Sequence, residues 1–187
     1  RLLRLPHAEN RDFVMPVLSS RGCPFHCNFC YRMDKGYRMR HPDGIVEEIR
    51  YLQLEHRINY IDFSDELLMA SPERVENLCH AFLRSGLKFK WYCNGRLNYA
   101  RPDILKLMRE TGCVYINYGI EAFDDRILKN MNKKLTTKTI VDGIEATLSA
   151  GISPGFNVIF GNLGEDLETL EKGVAFLLQY DDCSELR

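Results

Sequence analysis

Apolar positions along the chain follow two alternating rhythms. Short runs rich in β-branched and aromatic residues are separated by longer stretches in which apolar residues recur every third or fourth position. That alternation predicts βα units around a parallel sheet. Residues 13–19 form the first strand, interrupted by Pro16, which suits a sheet edge. A long loop over residues 20–41 follows. Pro42–His56 reads as a helix, with Pro42 in its first turn and Ile45, Ile49 and Leu52 on one face. Tyr60–Phe63 is the second strand, and a helix over 72–84 starts at Ser71-Pro72-Glu73 and stops at Gly86. Residues 89–93 make the third strand, Pro102–Glu110 the next helix, closed at Gly112, and residues 114–118 the fourth strand. Helical pieces over 124–131 and 137–150 lead to a fifth strand at 155–160 and a last helix at 166–179.

Every predicted strand after the first ends in a polar or glycine-containing cluster: Ser64-Asp65-Glu66, Asn94-Gly95-Arg96, Gly119-Ile120-Glu121 and the residues around Gly161. Parallel α/β sheets gather their chemistry at the C-terminal strand ends, where loops and helix N-termini converge. Five such units are too few for a closed eight-stranded barrel, so the expectation is a single α/β domain over 1–187 with an open or partial barrel.

Composition narrows the function classes. Basic and acidic residues number 25 and 26, a net charge of -1, which argues against a broad electrostatic surface for nucleic acid. No apolar run approaches the roughly 18 residues that cross a bilayer, and the N-terminus has no apolar stretch of signal-peptide type, so a cytoplasmic protein is expected. The sequence opens without Met and stops at Asp-Asp-Cys-Ser-Glu-Leu-Arg just as another apolar segment begins, which reads as a domain cut from a longer protein.

Seven cysteines, an odd number, do not suggest a disulfide framework here. Cys79, Cys93, Cys113 and Cys183 sit among apolar neighbours and read as buried thiols. Cys23, Cys27 and Cys30 differ, because C-x3-C-x2-C in a loop bent by Gly22 and Pro24 can bring three thiolates to one centre. Soft thiolates favour zinc or iron–sulfur clusters. Structural zinc and self-contained ferredoxin clusters want four ligands, so three leave a metal position open, as a catalytic centre does. His26, between two of them, is not expected to be a ligand.

With the cysteine loop following the first strand, the chain resembles the radical SAM superfamily, whose C-x3-C-x2-C loop binds three irons of a [4Fe–4S] cluster. The resemblance runs from about Phe13 to Gln179 with its motifs in order, and implies a partial (β/α)6-type barrel. It implies that Cys23, Cys27 and Cys30 hold the cluster and that the amino and carboxylate groups of S-adenosylmethionine chelate its fourth iron. Phe29 fills the aromatic position before the third cysteine, where the neighbouring backbone meets adenine. Ser64, Asp65 and Glu66 stand where the family holds the methionine amino group, with the choice between the two acids left open. Arg96 is a candidate partner for the methionine carboxylate, and Glu121 for ribose or amine. In that family the segment holding Ile159 and Gly161 runs along the adenine; Leu163 replaces its usual proline, and Ala122 replaces the common serine after Glu121. The stretch Lys129-Asn130-Met131-Asn132-Lys133 also matches a recurring family pattern, one without a physical account from sequence.

The wording of residues 20–24, 90–96 and 119–121 looks most like the branch with an N-terminal cobalamin-binding domain, which includes methyltransferases. The resemblance therefore implies reductive cleavage of S-adenosylmethionine to a 5′-deoxyadenosyl radical, an external flavodoxin- or ferredoxin-type electron donor, and an unidentified substrate. Cobalamin and any N- and C-terminal parts would lie outside these residues. The competing readings are a methylthiotransferase-like enzyme, an iron–sulfur electron-transfer module and a zinc-binding interaction module.

Overall fold

The computed structural model describes residues 6–31, 36–180 and 183. Of residues 181–187, where another apolar segment is expected to begin, only Cys183 is among them. Among the described residues, no helix is long and apolar enough to cross a membrane.

The chain runs β1 (Val14–Val17), β2 (Ser20–Gly22), β3 (Tyr37–Met39), α1 (Pro42–His56), β4 (Tyr60–Phe63), α2 (Pro72–Ser85), β5 (Lys90–Gly95), a 3-10 turn (Leu97–Tyr99), α3 (Pro102–Glu110), β6 (Cys113–Glu121), α4 (Asp125–Asn130), α5 (Thr137–Ser149), β7 (Ser153–Val158) and α6 (Leu167–Leu178). Five strands form one sheet in the order β1-β4-β5-β6-β7, every pairing parallel. Each strand lies beside the previous one of the sheet, with helical crossovers between them, and this is the expected α/β partial-barrel architecture. β1 is an edge strand, as Pro16 predicted, and β7, at the other edge, tolerates Pro154 for the same reason.

Local chemistry sets the helix boundaries. Ser71 Oγ accepts from the Arg74 N–H and Gly86, at φ 68°, ends α2. Asp166 and Thr169 form a capping box on α6. Buried stripes on α1 (Ile45, Ile49, Leu52) and α2 (Val75, Leu78, Phe82) turn toward the sheet.

Alternation along the strands divides the sheet into two unlike faces. Ile61, Phe63, Trp91, Cys93, Ile116 and Tyr118 are fully buried in the core shared with the helices. Phe63 and Phe82 meet Trp91 edge-on, and the Trp91 indole N–H donates to the Thr111 carbonyl at 3.0 Å. The positions between them carry Tyr92 and Asn94 on β5, and Tyr115, Asn117, Gly119 and Glu121 on β6. That polar face leads upward to the site.

The structure differs from expectation in three ways. The 20–41 loop contains β2 and β3, paired antiparallel as a separate ribbon. β5 and β6 extend beyond the predicted ends, because β5 pairs with β6 as far as Gly95 against Tyr118 and β6 pairs with β7 as far as Glu121 against Val158, so Asn94-Gly95 and Gly119-Ile120-Glu121 are strand rather than loop. β7 begins and ends earlier than residues 155–160, which leaves Ile159 and Gly161 in the following turn.

Candidate functional site

A cavity of about 330 Å³ opens at the C-terminal strand ends. Its walls include Cys23, Cys27, Cys30, Phe29, Glu66, Arg96 and Glu121 from the sequence-predicted set, joined by Phe25, Asn94, Asn117, Gly119, Lys133 and Asn157. Ser64, Asp65, Ile159 and Gly161 are not among its lining residues.

The two adjacent acids after β4 point to different tasks. Asp65 is buried, and its carboxylate accepts from the Ser19 N–H at 2.7 Å, the Ser20 hydroxyl at 2.8 Å and the Ser19 hydroxyl. It therefore ties the end of β4 to the start of the cysteine segment. Glu66 is left to line the cavity as an exposed carboxylate. An asparagine relay supports that turn: Asn117 Nδ2 donates to Asn94 Oδ1 at 3.1 Å, and Asn94 Nδ2 to the Asp65 carbonyl at 2.8 Å.

Arg96, directly after β5, is 5% exposed. Its Nε donates to Asn98 Oδ1 at 2.9 Å, its Nη1 approaches Cys27 Sγ at 3.9 Å, and its guanidinium lies 3.9 Å from the Phe25 ring centroid. Its Nη2 is buried without a hydrogen-bond partner. A buried guanidinium donor left unpaired is costly, so the geometry is suited to an anionic ligand in this cavity. Burial raises the Cys23 thiol pKa; the neighbouring Cys27 and Cys30 raise it further, whereas the Phe25 backbone N–H and Arg96 oppose the rise. Metal binding must therefore displace that proton.

At the end of β6 a register shift between Gly119 and Glu121 accompanies a left-handed Glu121, φ 68°. Glu121 accepts from Lys133 Nζ at 2.8 Å, with both side chains buried. A Cβ on Gly119 would collide with Glu121 Oε1 and Lys133 Nζ, so the glycine makes room for the pair.

Sequence reasoning missed Phe25, Asn117 and Asn157, and it noted Asn94 and Gly119 in the strand-end clusters and Lys133 in the recurring stretch without giving them a role. Period-two alternation carried the signal for most of them: Asn94 is two residues before Arg96, and Asn117 and Gly119 precede Glu121 by four and two. Lys133 reaches the site from a loop and leaves no such pattern.

Among the described residues, no three His, Cys, Asp or Glu side chains approach closely enough to hold a single metal ion. A cluster distributes its protein sulfurs over separate irons and does not require that convergence. Three thiols, a free carboxylate and an unpaired buried guanidinium in one cavity are a donor set that fits a cluster beside a ligand bearing both ammonium and carboxylate.

Fold and site thus define a parallel α/β partial barrel with a three-thiol cavity at its strand ends. The family model described as "Radical SAM superfamily" matches residues 17–177, and the chain belongs to that superfamily. It is 29% identical over 168 residues to an uncharacterized methyltransferase of Pyrococcus horikoshii, covering 88% of this chain and 37% of that protein. It is 33% identical over 159 residues to the anaerobic magnesium-protoporphyrin IX monomethyl ester cyclase of Cereibacter sphaeroides, covering 82% of this chain and 26% of the relative. The radical S-adenosylmethionine methyltransferase TsrM of Kitasatospora setae, solved with cobalamin and a [4Fe–4S] cluster bound, superposes with a TM-score of 0.82 at 19% identity, covering 91% of this chain and 33% of that one. The chain thus spans between 26% and 37% of the length of these proteins.

Proposed function

We infer that the chain is the core of a radical SAM enzyme, with Cys23, Cys27 and Cys30 holding a [4Fe–4S] cluster and S-adenosylmethionine bound beside it. The observation that carries this reading is the meeting of the three thiols, Glu66 and the unpartnered Arg96 Nη2 in one cavity. Bound there, cluster and S-adenosylmethionine supply a one-electron reductive cleavage that yields methionine and a 5′-deoxyadenosyl radical able to abstract hydrogen from substrate.

The chain's own residues bind and orient. Glu66 offers an acceptor for the ammonium, and Arg96, held by Asn98 and stacked on Phe25, offers its free Nη2 to the carboxylate. Phe29 and the Glu121–Lys133 pair lie toward the remainder of the ligand, with Lys133 Nζ 5.7 Å from the Phe29 ring centroid. Ile159 and Gly161 are assigned to the adenine end through their backbone, Ile159 being fixed by its N–H bond to the Glu121 carbonyl at 2.9 Å. Asp65, through Ser19 and Ser20, and the Ser64 N–H, through the Val17 carbonyl at 3.2 Å, fix the β4 end that carries Glu66. The structural and sequence neighbours support a cobalamin-dependent methyl transfer. An external flavodoxin- or ferredoxin-type donor would supply the electron.

Anaerobic reconstitution with iron and sulfide, followed by electron paramagnetic resonance of the reduced protein, tests this reading. The expected result is a cluster signal that changes when S-adenosylmethionine is added. A signal indifferent to S-adenosylmethionine would leave only an electron-transfer module, and zinc without a cluster would leave an interaction module.

A further inference from the structure

Residues 130–134, from the last residue of α4 toward α5, contact four of the parts that surround the cavity: the cysteine loop, the turns after β5 and β7, and the end of β6. Toward the cysteine loop, the Asn28 N–H donates to the Met131 carbonyl at 3.1 Å and Asn28 Nδ2 to the Asn130 carbonyl at 2.6 Å. Asn132 Nδ2 donates to the His26 carbonyl at 2.7 Å. Toward the turn after β7, Asn130 Nδ2 donates to the Leu163 carbonyl at 3.0 Å. Toward β5, the Lys134 carbonyl accepts from Asn98 Nδ2 at 2.9 Å, and Asn98 is the residue that holds Arg96 Nε. Toward β6, Lys133 pairs with Glu121.

The segment achieves this in an unusual backbone. Asn132 and Lys134 are both left-handed, at φ 52° and 56°, and neither is glycine. Strain of this kind persists where surrounding contacts over-determine the conformation, and it concentrates at functional sites. Alternating left-handed residues turn successive carbonyls and side chains outward in different directions, which lets one short segment reach several loops.

We propose that residues 130–134 are a positioning segment that fixes the cysteine loop, Arg96, Glu121 and the turn after β7 relative to one another, so that cluster and cofactor subsites move together. Asn28, Asn130 and Asn132 are its positioning residues. The part concerning cluster and cofactor rests on the function proposed above; the coupling between loops does not.

Asn132→Gly keeps the left-handed backbone accessible and removes the whole side chain with its amide donor, Asn132→Asp keeps the side-chain shape and replaces the donor with a carboxylate acceptor, and Asn130→Ala removes the bond to Leu163. Hydrogen exchange is measured on the metal-free full chain, and the Kd for S-adenosylmethionine on the reconstituted one by titrating the paramagnetic signal. Each variant is expected to speed exchange about fivefold to tenfold both over residues 26–30 and over 161–165, the scale of one lost hydrogen bond. The S-adenosylmethionine Kd should rise by a similar factor while iron content stays near wild type. The inference is overturned if each variant loosens only the loop it touches directly, or if the Kd does not move. If the wild-type chain takes up no cluster, the functional reading fails, and the exchange comparison still decides whether the loops are coupled.

Discussion

Lys133 and Glu121 form an ion pair at 2.8 Å in the cavity wall, 12 residues apart in sequence and with side chains only 8% and 9% exposed. Two charges removed from water tolerate each other only as a pair. Lys133→Met should therefore lower stability by about 3–5 kcal/mol, because it strands a buried carboxylate. Adding Glu121→Gln to that variant should restore part of the loss. Urea denaturation of the three proteins measures both effects, and equal losses in single and double variants would contradict the pairing.

Asp65 carries a different prediction. Its carboxylate satisfies a buried backbone N–H and two hydroxyls at Ser19 and Ser20, just ahead of the cysteine loop. Asp65→Ala should destabilise the chain by about 2–4 kcal/mol through those stranded donors, whereas Glu66→Gln should leave stability within about 0.5 kcal/mol, as surface changes do. Thermal or urea unfolding separates the two neighbours directly.

Cluster and cofactor binding should also separate by residue. Cys27→Ala is expected to abolish cluster assembly, read as iron and sulfide content. Arg96→Met should retain iron and lose the response of the paramagnetic signal to S-adenosylmethionine, with Kd raised at least about tenfold, as for a charge-assisted hydrogen bond.

A titratable staple lies at the opposite end of the sheet. Lys90 Nζ reaches Glu9 at 2.9 Å and Asp12 at 3.1 Å. Burial would raise the Asp12 carboxyl, but the Glu9 N–H, Lys90 and the Asn59 amide outweigh it and hold its pKa below the ordinary value. The hydrogen bond from Lys90, helped by Arg11, lowers Glu9, and the bond to Glu9 raises Lys90. Lowered carboxylates stabilise above their unfolded pKa values and lose that contribution as pH falls through the folded ones. A raised lysine stabilises below its unfolded value and loses that contribution as pH rises through the folded one. The stability difference between wild type and Lys90→Met should thus be full at about pH 6–9, shrink as pH falls below about 4 until the lowered folded carboxyls are protonated, and shrink above about pH 11. Thermal midpoints across that range check it.

Much of this was legible in the chain, for identifiable reasons. Pro42, Ser71, Gly86 and Pro102 announce helix ends through local backbone chemistry, so α1, α2 and α3 fall where the pattern puts them. The cysteine motif is local as well, and its three residues line the cavity at the strand ends. Choosing between Asp65 and Glu66 required knowing that Ser19 and Ser20 pack beneath the β4 end, a contact spanning 46 positions. The far ends of β5 and β6 depend on pairing between strands, which outweighs the turn character of Asn-Gly and Gly. Residues 130–134 show no periodicity, since their contacts are carbonyls and amides that any sequence rhythm leaves silent.

Trp91 is the only tryptophan of the chain, and it sits wholly buried against Phe63 and Phe82 on the helix side of the sheet, facing away from the thiols. Its environment belongs to the packed interior alone. The protein consequently carries its own optical gauge of global integrity: indole emission reports whether the interior is assembled, and iron absorbance and paramagnetism report the thiols. A variant that loses its colour and keeps its emission has lost a ligand, and one that loses both has lost the scaffold.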